Sequence, residues 1–112
     1  MIKTSDIHWL AGLLEGEGCF GVVRNRPKDK PGVRTYPRIT LGMCDNDVVL
    51  RAQKLMGGTL SQRPAKENRK PVLTLSIQRQ ALAAGWMMTL YPLMGARRQE
   101  KIRTLLEQWR QS

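Results

Sequence analysis

A chain of 112 residues with 41% hydrophobic side chains is expected to form one domain over residues 1–112 with a modest core. Nineteen Lys and Arg against nine Asp and Glu give a formal charge of +10, so a polyanion is the expected partner, although a ribosomal or membrane-surface protein has the same balance. The longest apolar run falls short of the ~18 residues of a membrane span, there is no N-terminal signal region, and the two cysteines, Cys19 and Cys44, have no metal-ligand spacing; these features predict no membrane partner and an intracellular, reducing location (bacterial or phage cytoplasm, or an organelle) with both thiols buried and free.

In chain order, Ser5 or Asp6 caps a helix from about residue 6 to 17, with Ile7, Leu10, Leu13 and Leu14 on its apolar side. Gly12 and Gly16 lie four apart on one face, where missing side chains let a second backbone approach. Glycine costs roughly 1 kcal/mol against Ala inside a helix, so two in one short helix point to a packing requirement. Glu15 and Glu17 sit at the end where the helix dipole disfavours negative charge. That calls for a cation, a divalent metal among the candidates, unless the end is simply solvated.

Gly18 stops the helix; residues 19–26 read as a strand, Pro27–Gly32 as a turn and Thr35–Met43 as the returning strand. There Ile39, Leu41 and Met43 alternate with Tyr36, Arg38, Thr40 and Gly42, a core face against a polar, basic one. Asp45 caps a helix over 46–56, with Val48, Val49 and Leu55 apolar, and Gly57-Gly58 stops it. A second hairpin follows with strands 59–63 and 71–77, Leu60, Leu73, Leu75 and Ile77 facing inward. Helices 79–90 and 97–110, separated by Pro92 and Gly95, complete an α+β order of αββαββαα.

The outward strand residues form a second set. Gly21, Val23 and Asn25 join Arg34, Tyr36, Arg38 and Thr40, and across the second hairpin Thr59, Ser61 and Arg63 share a face with Lys70, Val72, Thr74 and Ser76. Such a mixture suits base-edge reading in a major groove; an ordinary solvated sheet face has the same alternation. Each hairpin tip is basic, with Arg24, Arg26, Lys28, Lys30 and Arg34 in one and Arg63, Lys66, Arg69 and Lys70 in the other, within reach of phosphates. Trp9, Trp86 and Trp109 are read as core or interface packing, the methionines, including Met87, Met88 and Met94, as fillers of an irregular core, and His8 as a boundary residue.

The segment Leu10-Ala11-Gly12-Leu13-Leu14-Glu15-Gly16-Glu17-Gly18 resembles the motif of the LAGLIDADG homing endonucleases: five of its nine letters are identical, with Glu for both Asp and Gly16 for the second Ala. Trp9 and Phe20 flank it suitably, and the downstream order of elements agrees. The resemblance implies an αββαββαα fold whose four-stranded antiparallel saddle straddles double-stranded DNA, with Gly21, Val23, Asn25, Arg34, Tyr36, Arg38, Thr40, Thr59, Ser61, Arg63, Lys70, Val72 and Thr74 in contact with it. One motif in the chain implies a homodimer joined through Gly12 and Gly16, cutting a near-palindromic target with divalent metal. Glu17 is then the catalytic metal ligand, with the Gly16 carbonyl beside it, and Glu15 holds structure or shapes the local field.

Two further roles follow from the same resemblance. Asp45 matches a polar residue that holds water near the metals, in competition with its reading as a helix cap. Arg97, with Arg98 second, matches a basic residue near the scissile phosphate; because Arg keeps its proton, electrostatic stabilisation suits it better than base catalysis, and a solvated helix start competes. The implied cofactor is Mg2+, replaceable by Mn2+, with Ca2+ supporting binding without cleavage. The alternative is a non-cleaving DNA- or RNA-binding protein on the same scaffold, a transcription regulator or an intron-splicing cofactor with intron RNA as partner; a basic ribonucleoprotein component is a third reading.

Overall fold

Two central strands in which every second side chain is apolar need a cover on one face only, and four helices supply it. The computed structural model describes residues 2–26, 28 and 32–111; Pro27 and Lys30 of the expected first turn lie outside them. Helix α1 (Thr4–Glu17) leads into β1 (Gly18–Asn25) and β2 (Arg34–Met43), then α2 (Asn46–Met56), β3 (Thr59–Arg63), β4 (Val72–Ile77), α3 (Gln80–Leu90), a 3-10 turn at Tyr91–Leu93 and α4 (Ala96–Gln111). The antiparallel sheet has the order β1-β2-β4-β3, so the two hairpins meet along β2 and β4. Pro37, which has no N–H for a ladder, sits where β2 has β1 as its sole neighbour.

Register puts Phe20 opposite Ile39, Ile39 opposite Ile77 and Leu41 opposite Leu75, all buried beneath Leu10 and Leu14 of α1, Met87 and Leu90 of α3 and Ile102 of α4. Each fully buried Leu, Ile or Phe contributes about 1.5–3 kcal/mol over its exposed state. The expected apolar side of α1 is therefore the real one, with Ile7 and Leu13 half-buried at the margin, whereas α2 buries Val49, Ala52 and Met56, with Leu55 against them and Val48 outside the cluster.

Two chain reversals depend on glycine for different reasons. Gly18 is extended (φ −81°, ψ 161°), so conformation does not demand it, but an added Cβ would lie 2.6 Å from Leu14 Cδ2 and 2.9 Å from the Leu14 carbonyl oxygen. At Gly57-Gly58 both φ values are positive (81° and 99°), and a Cβ on Gly58 would approach the Ser76 carbonyl oxygen to 2.7 Å.

Several expectations are corrected. α1 starts earlier, with Lys3 as N-cap and no side-chain cap bond, so neither Ser5 nor Asp6 caps it. Asp6 instead pairs with Arg51 of α2 at 3.4 Å, and the Arg51 guanidinium lies 3.9 Å from the Trp9 ring centroid. Leu60 faces the core side opposite Leu75 but is 38% exposed, because β3 is the outermost strand. Met88 is 60% exposed beside buried Met87, since consecutive helical side chains diverge by about 100°. Both cysteines are exposed, Cys19 on the open sheet face opposite Thr40 and Cys44 just past β2. The tryptophans do pack between elements: Trp86 Nε1 donates to the Met56 carbonyl at 3.2 Å and Trp109 Nε1 to Gln80 Oε1 at 3.0 Å. Among the described residues no helix is long and apolar enough to cross a membrane.

Candidate nucleic-acid interface

Residues directly opposite in antiparallel strands share a face, so register alone sorts the expected contact set. Gly21 pairs with Arg38, Val23 with Tyr36, Asn25 with Arg34, Thr40 with Ser76, Thr59 with Ser76, Ser61 with Thr74 and Arg63 with Val72. All of these lie on the face away from the core. Lys70 does not join them: β4 begins at Val72, and Lys70 follows the small Lys66–Arg69 bridge in the loop at the tip. Cys19 and Gly42 also belong to the open face and were absent from the expected contacts, although their parity with Gly21 and Thr40 marks them. A Cβ on Gly42 would stand 3.2 Å from Thr74 Oγ1 and 3.3 Å from Val72 Cγ1, so the glycine leaves room for both side chains to lie across the sheet.

At one end of this face the chain brings together the end of α1, the start of β1, the end of β2 and the start of α4. Gly18, which follows Glu17, pairs with Leu41, and Asp45 lies four residues beyond Leu41 at the same end. Asp45 occupies the N-cap position of α2, but its side chain makes no cap bond; its main-chain carbonyl accepts from Val48 N–H (3.1 Å) and Val49 N–H (3.3 Å). The exposed carboxylate is thus uncommitted to the helix. Arg97 is exposed and lines an open cleft of about 600 Å³ with Gly18, Cys19, Phe20, Arg98 and Lys101.

Glu15 and Glu17 divide sharply. Glu15 Oε1 accepts from Gly95 N–H at 2.9 Å, Arg98 Nη2 donates to the Glu15 carbonyl at 3.1 Å, and Arg98 Nε stands 3.6 Å from Glu15 Oε2. The cation demanded at the end of α1 is therefore, for Glu15, an arginine from α4. Glu17 is exposed with no side-chain partner among the described residues. A free carboxylate beside the Gly16 carbonyl offers hard oxygen donors suited to Mg2+ or Mn2+. Among the described residues no three His, Cys, Asp or Glu side chains converge. Gly12 and Gly16 are exposed, with open space around an added Cβ at either.

Known proteins with this architecture share the αββαββαα order and the four-stranded sheet. The homing endonuclease I-TnaI superposes with a TM-score of 0.72 at 18% identity, over 96% of this chain and 71% of that one. The homing endonuclease I-CvuI, solved in complex with an I-CreI target in the presence of Mg, superposes at 0.66 and 18% identity over 90% of this chain and 66% of that one. This is the LAGLIDADG homing-endonuclease fold. In sequence, a probable intron-encoded endonuclease, aI2 of Debaryomyces hansenii, is 31% identical over 62 residues, 55% of this chain. The chain spans 8% of that relative's length. No family model matches. Within this fold α1 carries the Leu10–Gly18 segment, and one face of β1-β2-β4-β3 is left open.

Proposed function

We propose that the protein is a site-specific endonuclease that binds double-stranded DNA as a homodimer and hydrolyses phosphodiester bonds with a divalent metal. The observation that carries the proposal is the coincidence, on one open sheet face, of Arg34, Arg38 and Arg63 with the uncommitted carboxylate of Glu17 at the end of that sheet. The named relatives, an intron-encoded endonuclease and homing endonucleases, one with DNA and Mg, support it.

In this reading Glu17 and the Gly16 carbonyl would hold the metal. A divalent ion held there would supply polarisation of the phosphate and activation of water. Asp45 orients water through its exposed carboxylate, and the Arg97 guanidinium stabilises charge that develops on the phosphate. Gly12 and Gly16 let the two α1 helices approach closely, which places one Glu17 from each protomer near the two-fold axis and gives a near-palindromic target.

Selection from a randomised duplex library in Ca2+, followed by incubation with Mg2+ or Mn2+ and mapping of the ends, tests this. Enrichment of a near-palindrome cut on both strands is expected. Enrichment without cutting under either metal favours the non-cleaving DNA-binding reading, and the absence of any enriched duplex rejects both.

A further inference from the structure

One residue, Glu15, makes three contacts, two through its side chain and one through its carbonyl, to a segment eighty or more residues away, and it is neither in the core nor on the open sheet face. Glu15 accepts from the Gly95 amide through Oε1, takes an Arg98 Nη2 hydrogen bond on its carbonyl, and sets Oε2 against Arg98 Nε, two atoms both shielded from solvent. The fit leaves no spare room. A Cβ on Gly95 would lie 2.5 Å from Glu15 Oε1, so a larger residue there would displace the carboxylate from its present position. The carbonyl of Glu15 falls in the last turn of α1, among those without an intrahelical donor, and Arg98 satisfies it while offsetting the negative end of the helix.

The joint held in this way is the start of α4. Arg98 turns toward α1, whereas its neighbour Arg97 is exposed in the cleft with Gly18, Cys19 and Phe20, the residues that follow Glu17. We propose that Glu15 is a positioning residue for strand cleavage: by holding Gly95 and Arg98 it sets Arg97 at the Glu17 end of the motif helix. This rests on the endonuclease reading above. Because Glu15 lies off the open sheet face, its contribution falls on the rate of the chemical step and not on DNA affinity.

The test compares Glu15→Ala and Glu15→Gln on the selected duplex, with Gly95 amide exchange followed by NMR. Glu15→Ala is expected to slow single-turnover cleavage at saturating enzyme by about tenfold to a hundredfold, the scale of a small misplacement of a reacting group. Its DNA dissociation constant in Ca2+ should stay within about twofold, and Gly95 exchange should speed up by about tenfold. Glu15→Gln keeps an acceptor for Gly95 and should fall between Glu15→Ala and wild type in both rate and exchange. Retained binding shows that the Ala variant folds; should it not fold, the Gln variant carries the test, and its wild-type values in both readouts would overturn the proposal. Wild-type cleavage by Glu15→Ala, or a loss of rate matched by an equal loss of affinity, would also overturn it. If wild-type protein binds but never cuts, the endonuclease reading fails and the positioning role with it, while unaltered Gly95 exchange in Glu15→Ala would separately refute the hold on the joint.

Discussion

Glu15 and Glu17 stand two positions apart on α1, yet one is tied to α4 and the other is open to solvent. An unpaired carboxylate next to DNA phosphates is repulsive unless a cation sits between them, so Glu17 is expected to matter for chemistry and not for affinity. Glu17→Gln keeps the shape and removes the charge; cleavage in Mg2+ and Mn2+ should drop by at least about a hundredfold, with binding in Ca2+ unchanged or slightly tighter. Full metal-dependent cutting by the folded Gln variant would remove Glu17 from the site. Arg38, half-buried opposite Gly21, faces the open side, where a bidentate base contact is worth about 1–3 kcal/mol of discrimination. Arg38→Ala should relax sequence preference at one symmetry-related base position in each half-site, read from the enriched library; an unchanged preference everywhere would mean that Arg38 reads no base. The motif and the strand parity made both residues legible in the chain, because each depends on local spacing. The partners of Glu15 were not legible, since Gly95 is 80 residues away and nothing local specifies the approach.

At the level of elements, α1 is the informative one. Its two glycines lower helix propensity by roughly 1 kcal/mol each against Ala, and among the described residues nothing lies within 4 Å of an added Cβ at either. A bulky residue there has free space in the isolated protomer, so any loss it causes arises between molecules. Gly12→Leu is therefore expected to leave the thermal midpoint of the protomer unchanged or raised while shifting sedimentation toward the monomer and reducing double-strand cleavage in parallel. A variant that stays dimeric and active would show that the dimer uses another face. The element order, the two hairpins and the helix stop at Gly57-Gly58 followed from periodicity and turn chemistry. The start of α1 lies two residues earlier than expected, with Lys3 and not Ser5 or Asp6 at its N-cap, while α2 keeps its expected bounds although Asp45 caps with its main chain alone. Lys70, expected to share a face with Val72 and Thr74, precedes β4 and lies in the tip.

For the whole molecule the charge of +10 predicts binding that weakens steeply with salt. Each neutralised phosphate adds about −0.9 to the slope of log affinity against log salt. Lys28 and Lys70 lie in the two loops and not on the open sheet face, so replacing both with Ala in each protomer of the dimer removes four charges and should flatten the slope by up to about 3.6, lowering affinity equally for cognate and unrelated duplexes. A titration from low to physiological salt checks this, and a loss confined to the cognate duplex would assign those lysines to base reading instead.

The sequence by itself determined the α+β order, the inward and outward faces of the strands, the motif helix with its two glycines, and the basic tips. These are encoded in steric periods of 2 and 3.6 residues and in turn residues, which act over a few positions. Only the tertiary structure decided what distant packing controls. The pairing of β2 with β4 across an intervening helix and strand joins the two hairpins into one face. The outer position of β3 leaves Leu60 exposed, Cys19 and Cys44 reach solvent, and Arg98 and Gly95 close on Glu15 while Glu17 stays exposed. Those outcomes turn on which faces bury against which, a balance of area and shape that no short stretch of sequence contains.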